Sequence, residues 1–277
     1  MHAKPLDLTL EVAPRARFDV VEMRSRFAAE HEALSGYSHC LYWSSHTTAG
    51  FVDRSISARL PTTKVSTYVE AYRTLFPEGA GYRHDQLEHR HELAPEQKKV
   101  EPTNADSHLA FITGGLRACV IDDAAKSSPV YLVDHDGTFK VVPRRRQTTI
   151  VGYNREYEVA RTSIDIPVSA HPIDAVNLRG AKLGVYETVS SLIKQHGVTK
   201  GRVRFELALS EQHASLTVNE YETLLMQHDL AEVLQHPLKF AREKVKHVWN
   251  DPRAVRSEEH TSELQSRLHL VCRLLLE

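Results

Sequence analysis

One order of apolar patterns occurs twice in this chain, and the repetition constrains the fold more than any single residue does. LDLTLEV (residues 6–12) alternates as a half-buried strand does, and YSHCLYWSS (37–45) is a second, aromatic-rich strand. Val65, Tyr68, Val69, Tyr72, Leu75 and Phe76 then recur at helical spacing, stopped by Pro77 and Gly79. From about residue 157 the order begins again. RTSIDIPV reads as a strand, and Val185, Val189, Leu192, Ile193 and His196 as a helical stripe stopped by Gly197. RVRFELALS reads as a strand and EYETLLMQHDLAEVL as a helix. Strand, helix, strand, helix, twice over, implies an internal duplication.

Between the halves the patterns are weaker. Val20, Met23, Phe27 and Leu34 follow helical spacing up to Gly36. Residues 81–108 carry Pro, charge and several histidines without an apolar period, which reads as a long loop, and long loops are where function concentrates. LAFITGGLRACVID and PVYLVDHDGTFKVV read as strand pairs, with turns at Gly114-Gly115 and Asp136-Gly137.

Composition excludes some classes. With 277 residues the chain can build two modest domains. The net charge of −1 gives no electrostatic case for nucleic acid or an anionic membrane. The arginine run 144–146 is too short to change that and reads as a solvated turn. Three cysteines make no even framework, so a reduced, cytoplasmic setting is expected, with Cys40 and Cys119 as inert core thiols. No segment reaches the length of a membrane span. The 17 histidines make metal or acid–base chemistry worth seeking.

HTTAG at a strand end, YRHD after a helix, and PTNADSHLAFITGG beyond it resemble the YjbQ-like family, whose members are described as secondary thiamine-phosphate synthase enzymes. Residues 6 to about 142 carry this resemblance. SEQHASLTVNEYETLLMQHDLAEVL (210–234) resembles the same family's segment through Asn-Glu to His-Asp. The resemblance implies an α+β fold, an antiparallel β-sandwich with flanking helices, as one full copy (1–155) and one truncated copy (156–255). It also implies a trimer-like homo-oligomer and a small-molecule substrate.

The copies depart from the family differently. The first keeps His46, Thr47, Thr48 and Ala49, and His84 with Asp85, but has Arg54 and Ser55 in place of Asn-Glu and Asp106 in place of a histidine. The family's Gly-Thr-Trp-Gln is replaced by KSSP (126–129). The second keeps Asn219, Glu220, His228 and Asp229, but places Glu211 where the first has His46, with His213 two positions on.

Neutral imidazole and carboxylate together suit zinc or magnesium. His46, His84, Asp106 and His108 are the expected ligands, and His46, His84 and His108 the expected catalytic groups. Asp106 and His108 lie two apart, so on an extended segment they would share a face. Three readings stay open: a bound divalent metal, a metal-free acid–base cluster, and no chemistry. Each residue also has a plainer role. His46 can be a strand-end hydrogen-bonding residue, His84 a loop residue oriented by Asp85, and Asn104 a turn former. His89 and His91 suit a solvated loop, and His228 a core helix face. Gly114-Gly115 can be a turn or a cradle for phosphate.

Residues 256–277 resemble the in-frame translation of a short-read sequencing adapter, with Arg267 and Leu268 at the barcode position. On that reading the native sequence runs to Val255 and the tail is set aside before fold reasoning. The other reading is an amphipathic helix over SELQSRLHLVCRLLL.

Overall fold

The computed structural model describes residues 4–91, 93–124, 128–140, 142–168 and 176–211, the residues Ala214, Leu216, Asp229, Leu230, Glu232, Val233, Gln235 and His236, and the backbone of 270–275. It is α+β. Two antiparallel sheets stack face to face, and helices cover the outer face of one of them.

The first sheet has the order β1 (Leu6–Val12), β9 (Arg146–Tyr153), β3 (His39–Trp43), β5 (Cys119–Asp123). The second runs β2 (Asp19–Glu22), β6 (Tyr131–Asp134), β4 (Ala49–Phe51). Strand alternation explains the layering. Leu10 and Val12 from β1, Cys40 and Tyr42 from β3, and Ile150 from β9 meet Val21, Phe51 and Leu132 of the second sheet in one core cluster. Burying each large side chain there contributes about 1.5–3 kcal/mol.

All four residues of β6 are buried, because helices cover its other face. These are α4 (Thr62–Leu75) and α6 (Ala105–Thr113). Val65 and Val69 of α4 and Phe111 of α6 pack on Tyr131 and Val133. β4 passes close under α6. A Cβ on Gly50 would lie 2.7 Å from the Phe111 ring and 3.0 Å from the Arg117 carbonyl oxygen, so only glycine fits there.

Several readings of the sequence are corrected. Val20 lies in β2, and the helical run after it breaks into α1 (Met23–Arg26) and α2 (Ala28–Ala33). The expected long loop contains α5 (Pro95–Val100). LAFI lies in α6, not in a strand. It is apolar all round because sheet and neighbouring helix bury it on every side, which removes the helical period. Gly115, at φ 59°, ends that helix instead of joining two strands. After β6, β7 (Thr138–Phe139) pairs with β8 (Val142–Pro143) and not with β6. Cys40 is buried but Cys119 is exposed.

Beyond residue 153, β10 (Glu156–Thr162) ends before most of RTSIDIPV, α7 (Val185–Gln195) follows the apolar stripe, and β11 (Gly201–Arg204) follows it. Residues 270–275 form β12, antiparallel between β10 and β11, so that part of the tail is strand and not amphipathic helix. His213, Asn219, Glu220 and His228 lie outside the described residues, as do Lys126 and Ser127 of KSSP. Glu211 is exposed. Among the described residues no helix is long and apolar enough to cross a membrane.

Candidate functional site

Residues 44–48 carry the chain from β3 in one sheet to β4 in the other, across an open end of the sandwich. β3 ends at Trp43, which pairs with Thr149 of β9. The next N–H along β9 on that side, at Gln147, therefore has no strand partner. Half-buried His46 supplies one: its Nε2 accepts the Gln147 N–H at 3.1 Å. An accepting Nε2 in a neutral ring leaves the proton on Nδ1. Burial first, and then the charge of Arg146, hold this imidazole below its usual pKa, so it is neutral at pH 7.

His108 reaches the same place from α6. The helix also settles where Asp106 goes. Two positions on a helix are about 200° apart, given 3.6 residues per turn. Asp106 and His108 thus face nearly opposite ways, where an extended segment would have aligned them. Asp106 turns to Arg17, which donates to its Oδ1 at 2.8 Å. Burial outweighs that cation and pushes the Asp106 carboxyl up to about 6.

His84 is buried in the turn after α4, its ring centroid 5.4 Å from that of His108. Asp85 Oδ1 lies 2.9 Å from His84 Nδ1 and also accepts the N–H of Ala105, the first residue of α6. His84 Nε2 is buried without a hydrogen-bond partner among the described residues.

A cavity of about 130 Å³ opens between these elements. His46, Thr47 and Thr48 line one side, and Asn104, His108, Arg144 and Arg146 are among the residues that complete it. His46 and His108 thus share a cavity, His84 stands behind His108, and Asp106 points to Arg17. Among the described residues, no three His, Cys, Asp or Glu side chains gather as a metal-binding group.

The sequence missed the two arginines. Arg146 is no solvated turn residue. It opens β9 buried, donates twice to Asp134 at 2.6 and 2.9 Å, and also to Thr48 Oγ1 at 3.2 Å. Arg144 pairs with Asp136 at 2.9 Å, and Asn104 Nδ2 donates to the same carboxylate oxygen at 2.8 Å. The available signal was the arginine run standing 10 residues after an Asp-His-Asp run, at the start of a strand. His89 and His91 are exposed, as a solvated loop requires. Arg54, which opens α3 (Arg54–Ser57), donates to the buried Asp122 at 2.5 Å.

No protein-family model matches this chain, and no curated protein matches it. Solved structures are similar to it over about half its length. A hypothetical protein from Aeropyrum pernix K1 is 16% identical, covering 54% of this chain and 99% of its own, with a TM-score of 0.39. A YbjQ-like protein of unknown function from Sulfolobus solfataricus P2 is 15% identical, covering 55% and 99%, with a TM-score of 0.38. A yjbq/upf0047-family protein from Clostridium acetobutylicum is 12% identical, covering 52% and 97%, with a TM-score of 0.34.

Proposed function

We propose that the cavity between His46 and His108 takes the phosphate-bearing end of a small molecule. One observation carries this reading: two histidines from separate elements line a single polar cavity together with Arg144, Arg146 and two threonines, and its one lining carboxylate, Glu101, is paired with Arg90 at 3.1 Å. Guanidinium and hydroxyl donors in a partly dry site favour an anion. At about 130 Å³ the cavity suits a phosphate or pyrophosphate group, and the remainder of the molecule lies outside it.

The reaction assigned to it is the one the resemblance implies: a thiamine-phosphate-synthase-like transfer, in which a pyrimidine diphosphate joins a thiazole phosphate and pyrophosphate departs. Arg144 and Arg146 would stabilise the departing charge, the larger part of such catalysis. His46, neutral at pH 7, and His108 would supply the acid–base pair. The reading routes no step through a divalent metal, since the Asp106 carboxylate is engaged by Arg17.

The test is calorimetric titration of the protein with thiamine phosphate, pyrophosphate and inorganic phosphate, repeated on His46→Ala and His108→Ala. Saturable binding weakened at least tenfold by each substitution, with folding retained, is expected. Binding that neither substitution changes overturns the site.

A second reading is a non-catalytic binding module. It is favoured by His46 Nε2, already engaged by the Gln147 N–H. The two part on turnover: release of pyrophosphate from the paired substrates supports the enzyme, and binding without release supports the module.

A further inference from the structure

Asp229 lies nearly 150 residues away in sequence from the turn that carries His84, yet both of its carboxylate oxygens are bound to that turn. Oδ1 accepts the Arg83 N–H at 2.8 Å and Oδ2 accepts the His84 N–H at 3.1 Å. Asp229 is 2% exposed. Within the turn, the N–H groups of Asp85 and Gln86 bond back to the carbonyls of Tyr82 and Arg83. Those of Arg83 and His84 point outward, as the first N–H groups of a helical turn do, and a distant carboxylate takes both. Leu230 and Val233, from the same segment, pack against Phe76, Tyr82 and Leu109.

We propose that Asp229 is a positioning residue for His84 and, through it, for His108 on the cavity wall. The linkage is continuous. Asp229 fixes the two peptide groups on either side of Arg83, the second of which leads into His84. His84 is held at its other end by Asp85, which also caps the first turn of α6, the helix of His108. The two rings then face each other at 5.4 Å. A carboxylate suits this work better than an amide, because both outward N–H groups need an acceptor and an amide offers one oxygen. The second half of the chain, whatever its own chemistry, thereby completes the first half's site. The significance for ligand binding rests on the function proposed above; the positioning itself does not.

The experiment uses the full chain without ligand. Imidazole carbon–proton correlation spectra are recorded across pH for the parent, Asp229→Asn, Asp229→Ala and the packing control Val233→Ala. The His84 and His108 signals are assigned from His84→Ala and His108→Ala. Both Asp229 variants are expected to shift the His84 and His108 signals, Ala more than Asn. Val233→Ala and the distant His31 signal are expected to stay in place. Unchanged His84 and His108 signals in Asp229→Ala overturn the proposal. So does loss of folding in both Asp229 variants, which would assign the residue to the fold instead. Because no ligand is present, failure of the cavity as a phosphate site leaves these readouts unaffected.

Discussion

Arg146 grips Asp134 with two near-parallel hydrogen bonds, from Nε at 2.6 Å and from a terminal nitrogen at 2.9 Å, with both residues almost fully buried. The pair ties the start of β9 in one sheet to the end of β6 in the other, at the mouth of the cavity. Removing one partner leaves the other as a buried, uncompensated charge. Arg146→Ala is expected to destabilise by about 3–5 kcal/mol in chemical denaturation. Arg146→Lys should recover only part of this, since an ammonium cannot reproduce the two-pronged contact. A loss under about 1 kcal/mol would place the pair among solvent-screened contacts.

His135 lies between Asp134 and Asp136 in sequence and behaves differently. It is stacked on Phe18 at 5.8 Å, and neither ring nitrogen has a hydrogen-bond partner among the described residues. Burial, aided by the charges of Arg73 and Arg17, pulls its pKa down to about 3. The folded state therefore refuses a proton that the unfolded chain accepts near pH 6.5. The stability this lends is present above about pH 6.5 and is lost as the pH falls from there towards 3. His135→Leu is expected to flatten the acid limb of the stability–pH curve while costing little at pH 7. An acid limb as steep as the parent's would contradict this.

Asp106 works with the opposite sign. Its folded pKa is raised to about 6, so its contribution is fully present below the ordinary carboxylate range and lost as the pH rises through about 6. The Asp106 carboxyl carbon should titrate with a midpoint near 6, moving higher in Arg17→Ala, because Arg17 is the group that holds it down. A midpoint near 4 would mean that water reaches the carboxyl. The same helical geometry that turns Asp106 to Arg17 keeps it away from His46 and His108. Elemental analysis of the purified protein is accordingly expected to show negligible zinc, unchanged by His46→Ala and His108→Ala. Stoichiometric zinc lost in both variants would contradict the geometry.

β12 lies between β10 and β11, while every cavity-lining residue lies before residue 150. Deleting residues 256–277 should therefore leave ligand affinity unchanged and alter only signals from β10 and β11. Loss of binding on deletion would show that the tail supports the cavity.

The sequence carried the frame of the sandwich where period and position agree. β1 shows clean alternation because one face is buried and the other wet, and α4 shows a clean stripe because one side packs on the sheet. It failed at α6, where burial on all sides erases the period. That one misreading also misplaced a site residue, since spacing by two aligns side chains in a strand and opposes them in a helix. His46 and His108 were legible as candidates, but their shared cavity was not. Arg146 reads as a surface cation until Asp134 is seen opposite it. Asp229 was visible only as a match in the second half, because a contact spanning nearly 150 residues leaves no local pattern.

The most direct measurement follows the His46 and His108 imidazole signals together as inorganic phosphate, and then thiamine phosphate, is added. If one ligand occupies one cavity, both signals shift with the same saturation curve, and Arg144→Ala weakens the two equally. Signals that do not move, or that saturate at separate concentrations, would contradict the cavity as a single phosphate-binding site.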